Sequence, residues 1–462
     1  MKQKIKFLAM LIVLGLFISA CSKWIDPEIN KNPDAPAEVT MATLLPSIIA
    51  NIGYTTFGGT DAVMVTSLWI QQLAGTDRQA GSYDNYDFRS GDCNNLWNTN
   101  YSVTMMDIIK LIEAAKAKES PYNEGVGKVL MALSLGATTN LWGDIPYSEA
   151  FQGSDNLTPE FDKQEDIYND IQKLLDEAIT LLSKPTTDNK VGVIGDLIYN
   201  GSTAKWIKAA YALKARYAIH LSEINGNAAY TAAKANIANA INSNADNCEL
   251  QFGTSPTSAH PFYQFNDQRG DVRMGKYLID ILKTTNDPRI AVFAEQVGGD
   301  YVGSAPGEGN ANASKPGKGI ASMNSKTKFI TNSEVLFINA ECEFKIGTEA
   351  NAKQALKAAV AASLNEYGIT DTVWKLAFDG IVDGLTGNNL YLAIVLQKYI
   401  ALVYQLESFN DWRRSNNAIG LTKNSMTPDN FPNRFPYPTE ESSFNPNTPK
   451  NVKIQDKIWW DK

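Results

Sequence analysis

Histidine and cysteine are scarce in this chain: its 462 residues include two histidines, His220 and His260, and four cysteines. Two histidines cannot build a three-histidine zinc centre, and no carboxylate spacing supports a mixed one. The zinc-protease, P-loop, nucleophile-elbow and dinucleotide-binding signatures are also missing. We therefore predict no catalytic residue, no metal ligand and no cofactor. Calcium binding through oxygen ligands alone stays open, because Asp and Asn are abundant.

The chain also lacks an excess of positive charge, since its formal net charge is −8. Nucleic-acid binding needs a basic surface to neutralise phosphates, so the composition argues against that class of function. No run of about 18 apolar residues occurs, which argues against a membrane-spanning helix. The hydrophobic fraction of 44% is ordinary for a globular protein, and a chain of this length can bury a large core.

The first residues have the order of a secretory leader. Three lysines within six residues precede an apolar run at 7–18, which ends in Ser19-Ala20-Cys21. A cysteine directly after two small residues is typical of bacterial lipoproteins. We therefore expect a signal peptide at residues 1–20 and a lipid on the Cys21 thiol. Loss of the leader lysines would take the net charge from −8 to −11.

A proline- and asparagine-rich stretch follows, and we interpret residues 21–40 as a lipidated tether. We expect residues 41–462 to form a single α-helical domain with long loop insertions. With Cys21 lipidated, three scattered cysteines remain, which is no disulfide framework. The mature protein is expected to be a soluble body that is held at a membrane by its lipid.

Helical periodicity dominates the body of the chain. Three stretches carry an apolar residue at every third or fourth position: Ile167, Ile171, Leu174, Ala178 and Leu182; Trp206, Ala210, Leu213, Tyr217 and Leu221; and Leu392, Val395, Tyr399, Leu402 and Leu406. Weaker helical patterns occur at 101–117, 125–140, 229–242, 333–346 and 351–365. Several helices come as neighbouring pairs, which favours a mostly α fold of tetratricopeptide-like units with a loop-rich face.

Four insertions interrupt the helices, at 69–100, 252–275, 297–328 and 409–462. Long loops in compact proteins are often functional, and two of these combine aromatic rings with amides, carboxylates and arginines. Aromatic rings stack on sugar rings, and the polar groups bond their hydroxyls. We therefore predict ligand contacts at Trp69, Asp77, Arg78, Tyr83, Tyr86, Trp97, Asn100, Tyr263, Arg269 and Asp271.

Several of these residues also suit a purely structural role. Trp97 stands four positions before Tyr101, a spacing at which aromatic pairs on a helix usually pack together. Trp69 follows an apolar run and suits a core position. Arg269 and Asp271 suit a structural salt bridge equally well.

Several short segments stand in one order along the chain: 30–34 (NKNPD), 141–150 (LWGDIPYSEA), 287–290 (DPRI), 333–341 (SEVLFINAE) and 434–438 (RFPYP), with Glu440, Glu441 and Asn445-Pro446 after the last. Together with the leader that ends at Cys21, they resemble the motifs of the SusD/RagB family of Bacteroidetes lipoproteins. This resemblance extends over nearly the whole chain.

The resemblance implies a helical SusD-like scaffold and a nutrient-binding role at the outer membrane, facing the cell exterior. Its partner would be a SusC-like TonB-dependent transporter, and its ligand an oligosaccharide. A RagB-like peptide-binding role is an alternative within the same family. A glycoside hydrolase is a further alternative, since two suitably spaced carboxylates would suffice for that chemistry.

Overall fold

Helices make up most of the computed structural model, which describes residues 39–427 and 429–462. The α-helices, in chain order from α1 to α19, are Met41–Asn51, Val65–Trp69, Arg78–Asp84, Asn94–Asn98, Met106–Ala117, Pro121–Trp142, Gln164–Leu182, Thr203–His220, Ser222–Asn225, Asn227–Ile237, Pro261–Gln268, Lys276–Thr284, Ile290–Phe293, Asn332–Ile346, Glu349–Glu366, Thr372–Gly384, Gly387–Ala401, Leu406–Arg414 and Thr439–Phe444. The predicted leader, the lipidation site Cys21 and nearly all of the tether lie outside the described residues.

Strands are short and pair in twos among the described residues. They are β1 (Leu73–Gly75), β2 (Cys248–Gln251), β3 (Val272–Met274) and β4 (Lys326–Ile330). β1 pairs antiparallel with β3, and β2 pairs antiparallel with β4. The predicted mostly α fold class is confirmed.

Local sequence accounts for where the long helices begin and end. Pro121 occupies the first turn of α6, where its missing N–H costs nothing. Gly143 ends the same helix with a φ of +81°, a conformation that glycine adopts without strain. The side chains of Thr331 and Thr348 cap α14 and α15 by accepting hydrogen bonds from backbone N–H groups.

The long helices form a continuous packed row. Helix α5 packs against α6, α6 against α7, α7 against α8, α8 against α10, α10 against α14, and α14 against α15. On α7, the predicted stripe residues Ile167, Ile171 and Ala178 are fully buried, as expected for an amphipathic helix that packs on two neighbours. Residues Met41–Lys462 form one compact unit.

The third predicted stripe is partly wrong. Leu392, Val395 and Tyr399 lie in α17, but this helix ends at Ala401 and Leu406 begins α18. Between the two helices, Tyr404 takes a φ of +55°, which is incompatible with a continuous helix. The apolar pattern continues across the break between α17 and α18 because both helices bury apolar side chains in the core.

The loop insertions lie side by side. Because β1 pairs with β3, the insertions at 69–100 and 252–275 share a small sheet in which Ala74 faces Arg273. The insertion at 297–328 joins them, since the Ser304 N–H bonds the Met274 carbonyl at 3.0 Å. The loops thus form one surface on the helical scaffold.

The C-terminal segment lies across the end of α6. The Phe435 N–H donates to the Leu141 carbonyl at 2.7 Å, and the Trp142 indole N–H donates to the Pro436 carbonyl at 2.9 Å. The Tyr437 hydroxyl then donates to the Asp144 carbonyl at 2.7 Å. The segments 141–150 and 434–438, which are far apart in sequence, therefore act as one structural unit.

Candidate ligand-binding surface

Trp69 is a core residue. Its side chain has no exposed surface and lies among Phe88, Phe409 and Phe435, with ring-centroid distances of 5.6, 5.7 and 5.4 Å. An indole enclosed in this way has no face left for a ligand ring. The predicted ligand contact at Trp69 is therefore corrected to a packing role.

Tyr83, Tyr86 and Asn100 are also buried, with exposed fractions of 6%, 5% and 2%. The Tyr83 hydroxyl donates to Asp92, and the Tyr86 hydroxyl accepts from the Asn424 N–H at 3.1 Å. Burial raises the pKa of Tyr86 to about 12. Asn100 exchanges hydrogen bonds with two buried threonine hydroxyls. With their polar groups already paired inside the protein, these three residues hold the loops together instead of facing a ligand.

Arg78, Arg269 and Asp271 come together from two insertions. Asp271 is 2% exposed and accepts from Arg78 at 3.0 Å and from Arg269 at 2.9 Å. Asp77 caps α3 by accepting from the Arg78 backbone N–H. The structural salt bridge between Arg269 and Asp271 is thus formed, while the Arg78 side chain stays 55% exposed at the surface.

Tyr263 belongs to a separate, shallow depression of about 160 Å³. It is half-buried there, beside Asn266, Arg273 and Lys315. No residue of this depression lines the one that contains Trp97. The ten predicted residues are therefore spread over the core, a charged cluster and two depressions.

The depression around Trp97 is more spacious, at about 280 Å³, and we call it the aromatic depression. Its lining combines three aromatic rings with aliphatic, amide and carboxylate groups: Trp97, Asn98, Tyr101, Ser102, Met106, Pro146, Ala150, Phe151, Gly153, Asn156, Leu157, Pro159 and Glu441. No lysine or arginine is among these described residues. An open hollow with aromatic walls and polar edges suits a polyhydroxylated ligand.

Tyr101 and Phe151 supply the accessible rings of the aromatic depression. They stack at 5.8 Å with planes 19° apart, and both are half-buried. Trp97 lies beneath them at 4% exposure, 4.6 Å from the Tyr101 ring and 5.2 Å from that of Trp142. The predicted packing of Trp97 against Tyr101 is confirmed.

Phe151 has an unusual backbone. Its φ is +65°, a conformation that costs a non-glycine residue of order 1 kcal/mol or more. Strained residues of this kind cluster at ligand sites, where the surrounding structure holds them in place. The surrounding structure holds Phe151 in this conformation, in which its ring stacks on Tyr101 and lines the aromatic depression.

Carboxylates border the aromatic depression. The Trp97 indole N–H donates to Glu441 at 3.2 Å, and Asn98 donates to Glu440 at 2.8 Å. Asn156 donates to Glu149 at 3.4 Å. The edge is therefore acidic, and it presents amide and carboxylate groups that can bond hydroxyls.

A second depression, of about 230 Å³, lies between the residues after α1 and helix α11. Tyr54, 44% exposed, forms one wall and donates to Gln264 at 3.1 Å. Phe265 and Asp61 also line it, and the Arg269 guanidinium lies 5.2 Å from the Phe265 ring. It combines an exposed ring with polar groups in the same way as the aromatic depression.

Both depressions are lined by π-helical turns. The segments Ile52–Thr56 and Thr60–Met64 flank the second depression, and Thr99–Met105 carries Tyr101 into the first. Such turns are rare and often occur at functional sites. Sequence reasoning missed Tyr54, Phe151 and Phe265, and assigned Tyr101 only to packing. Tyr54 and Tyr101 lie in π-turns, for which helical periodicity gives no signal. Phe151 lies in a loop and Phe265 in α11, outside the π-turns.

Comparison with known proteins agrees with this architecture. Residues 33–438 match a family model named SusD-like and described as starch-binding, associating with the outer membrane. The chain belongs to the SusD-like family. No curated protein matches it. In the part of this SusD-like protein that the structure describes, no helix is long and apolar enough to cross a bilayer.

Solved structures share the fold over nearly the full length. A SusD/RagB family protein from Bacteroides thetaiotaomicron has a TM-score of 0.81 and 24% identity, over 92% of this chain and 99% of that one. A chitin-binding protein has a TM-score of 0.80 and 24% identity, over 92% of this chain and 100% of that one. A chitin-binding SusD homologue from Flavobacterium johnsoniae has a TM-score of 0.77 and 19% identity, over 90% of this chain and 98% of that one.

Proposed function

We propose that this protein captures oligosaccharides in the aromatic depression and delivers them to a SusC-like TonB-dependent outer-membrane transporter, without catalysing a reaction. The observation that carries the proposal is the stacked pair of Tyr101 and Phe151 above Trp97, edged by amides and carboxylates. Family membership supports a nutrient-binding role. Two proteins with this fold are described as chitin-binding, which supports a carbohydrate ligand.

The protein would act from the outer membrane, held by a lipid on Cys21 and facing the cell exterior. The composition of the leader supports the anchor, and the family description supports the membrane. For binding by stacking and hydroxyl contacts we expect dissociation constants in the micromolar to millimolar range, which correspond to binding free energies of about −8 to −4 kcal/mol.

The ligand is proposed to be a neutral glycan. Glu149, Glu440 and Glu441 border the depression, and no lysine or arginine among the described residues lines it. Carboxylates of a uronic-acid polymer would meet like charges there, which lowers their affinity. Peptide binding of the RagB type is the second candidate, and the acidic edge favours basic peptides for it.

A glycan array on residues 22–462, run beside a reducing-sugar assay, tests the proposal. Binding of one neutral glycan class without new reducing ends supports capture. New reducing ends would make the protein a hydrolase and overturn the non-catalytic role. A blank array together with binding of basic peptides would move the assignment to peptide capture.

A further inference from the structure

The aromatic depression and the second depression are built in the same way. In each of them a π-helical turn supplies a tyrosine, which is Tyr101 in the first and Tyr54 in the second. In each of them a phenylalanine from another segment shares the lining, Phe151 in the first and Phe265 in the second. Among the described residues, neither lining contains a lysine or an arginine. The features that favour a polyhydroxylated ligand therefore occur twice.

The two π-helical turns that carry these tyrosines are joined by a buried hydrogen bond. The Thr56 hydroxyl donates to Asn100 Oδ1 at 2.8 Å, and the two residues are 3% and 2% exposed. Asn100 Nδ2 donates in turn to the Thr138 hydroxyl on α6 at 3.2 Å. Thr56 comes two residues after Tyr54, and Asn100 directly precedes Tyr101. One chain of buried hydrogen bonds therefore fixes the backbone next to both tyrosines.

Tyr54 is held in one orientation although its side chain is exposed. Tyr54 and Phe444 are the two exposed aromatic rings in the part of the chain that the structure describes, at 44% and 79%. Gln264 Nε2 donates to the Pro256 and Ala259 carbonyls at 3.1 and 2.9 Å, which turns its Oε1 toward Tyr54. The Tyr54 hydroxyl donates to this Oε1 at 3.1 Å. An exposed ring that is already oriented loses less entropy when it binds a ligand.

Helix α11 turns one face toward the second depression. Its four lining residues stand at positions i, i+3, i+4 and i+7: Pro261, Gln264, Phe265 and Gln268. The helix is anchored by Phe262, which is fully buried and stacks on Tyr404 with ring centroids 3.9 Å apart. The Gln268 amide is exposed and has no hydrogen-bond partner among the described residues. A sugar hydroxyl can therefore bond Gln268 without displacing a protein group.

Two glycines shape the other wall of the second depression. A Cβ atom on Gly59 would lie 2.2 Å from the Thr55 carbonyl oxygen, and one on Gly58 would also meet atoms closer than 3 Å. The chain can therefore turn this tightly only with glycine at both positions. The turn leads into Thr60 and Asp61, which line the depression. Asp61 forms no ion pair with any described residue, so its carboxylate is available to a hydroxyl donor.

We propose that the second depression is a second oligosaccharide-binding site, separate from the aromatic depression; this inference rests on the proposed glycan-binding function. The Tyr54 and Phe265 rings stack on the apolar faces of sugar rings. The Gln268 amide, the Thr60 hydroxyl and the Asp61 carboxylate bond the sugar hydroxyls. The two depressions have no lining residue in common, so each binds its own glycan segment. A polysaccharide that reaches both sites is held at two points, which raises its apparent affinity above that of a short oligosaccharide.

Calorimetric titration of the protein with maltotetraose, cellotetraose and chitotetraose tests the proposal. We expect at least one of these neutral probes to bind at two sites per protein molecule. Tyr54→Ala and Phe265→Ala should each weaken the same one of these sites about fivefold and leave the other unchanged, because each removes one ring from the second depression. Phe151→Ala should weaken only the other site. Phe444→Ala is the control for loss of an exposed ring and should change neither site.

The outcomes separate this proposal from the proposed function. A single site that Phe151→Ala weakens and Tyr54→Ala does not would refute the second site and leave the proposed function standing. A single site with the opposite response would support the second depression as a site and overturn capture in the aromatic depression. Two sites that both ignore Tyr54→Ala and Phe265→Ala would refute the proposal. Failure of all three probes to bind would refute it as well, whereas the glycan array tests the proposed function with a wider set of ligands.

Tyr54→Phe distinguishes ring stacking from the hydrogen bond to Gln264, since it keeps the ring and removes the hydroxyl. We expect this variant to retain most of the affinity that Tyr54→Ala loses at the second depression. An equal loss in both variants would contradict stacking by the ring. Urea unfolding of the variants checks that a loss of affinity does not come from a loss of folded protein.

Discussion

The indole N–H of Trp97 donates a hydrogen bond of 3.2 Å to Glu441, 344 positions later in the chain. This contact fixes the edge of the aromatic depression to its floor. Because Trp97 comes from the first loop insertion and Glu441 from the last, neither segment forms the depression alone. The depression is therefore a property of the folded chain as a whole.

Trp97→Ala is expected to lower the free energy of unfolding by about 3–5 kcal/mol, the usual cost of truncating a buried aromatic side chain. The reason is its position at 4% exposure between the rings of Tyr101 and Trp142. Urea unfolding of both proteins measures the change. Phe444→Ala is the matched control, since Phe444 is 79% exposed and its loss should cost less than about 0.5 kcal/mol. A stable Trp97→Ala protein that has lost glycan binding would show Trp97 to be mainly a ligand contact.

Phe151→Ala is expected to weaken glycan binding about fivefold, or roughly 1 kcal/mol, while the free energy of unfolding changes little. The ring is half-buried in the lining of the depression, and Tyr101 is its one ring partner among the described residues. Calorimetric titration of both proteins with the glycan identified on the array measures the change in affinity. Tyr54→Ala separates the two depressions, because Tyr54 lines the other one. If Tyr54→Ala removes binding and Phe151→Ala does not, the ligand occupies the second depression.

Glu440→Gln is expected to raise affinity for uronic-acid oligosaccharides about two- to threefold and to leave neutral glycans unchanged. The exposed Glu440 carboxylate accepts from Asn98, and glutamine retains an acceptor while removing the charge. Exposed charges interact by less than about 1 kcal/mol, so the effect should shrink at high salt. Titrations at two ionic strengths measure it. An identical gain for neutral glycans would show that the charge is not the cause.

Asp84→Asn is expected to flatten the pH dependence of stability. Burial raises the pKa of Asp84 to about 7, although it accepts a hydrogen bond of 2.6 Å from the Gly307 N–H. A carboxyl group with a raised folded pKa stabilises the protein at low pH, and this stabilisation is lost as the pH rises through about 7. The wild type should therefore lose roughly 4 kcal/mol relative to the variant between pH 4 and pH 8. Parallel curves in urea unfolding at several pH values would contradict this.

Much of the scaffold was predictable because its signals are local. The spacing of Ile167, Ile171 and Ala178 predicts α7, and Pro121 and Gly143 mark the two ends of α6. Each of these signals depends on residues within a few turns of one another. The same locality explains the error at Leu406, where a buried turn continues the apolar pattern of α17 into α18.

The candidate ligand-binding surface was much less predictable, because burial of an aromatic ring depends on partners that are distant in sequence. Trp69 and Trp97 both belong to the predicted insertion at 69–100, yet rings from distant segments bury each of them: Phe409 and Phe435 cover Trp69, and Trp142 covers Trp97. Phe151 lines the depression with a backbone of positive φ, which no sequence pattern predicts. The ion pair between Arg78 and Asp271 likewise depends on two insertions that come side by side only in the folded chain.

The path of the last segment across α6 sets the order in which the protein can be completed. A ribosome or a translocation pore releases the chain from its N-terminus, so α6 and Trp97 emerge some 300 residues before Phe435 and Glu441. Until then Trp142 has no carbonyl of Pro436 to bond, and the apolar end of α6 stays open to water. The nascent protein is consequently a scaffold with an uncovered aromatic surface, and the proposed binding site is complete only when its final residues have left the machinery that makes it.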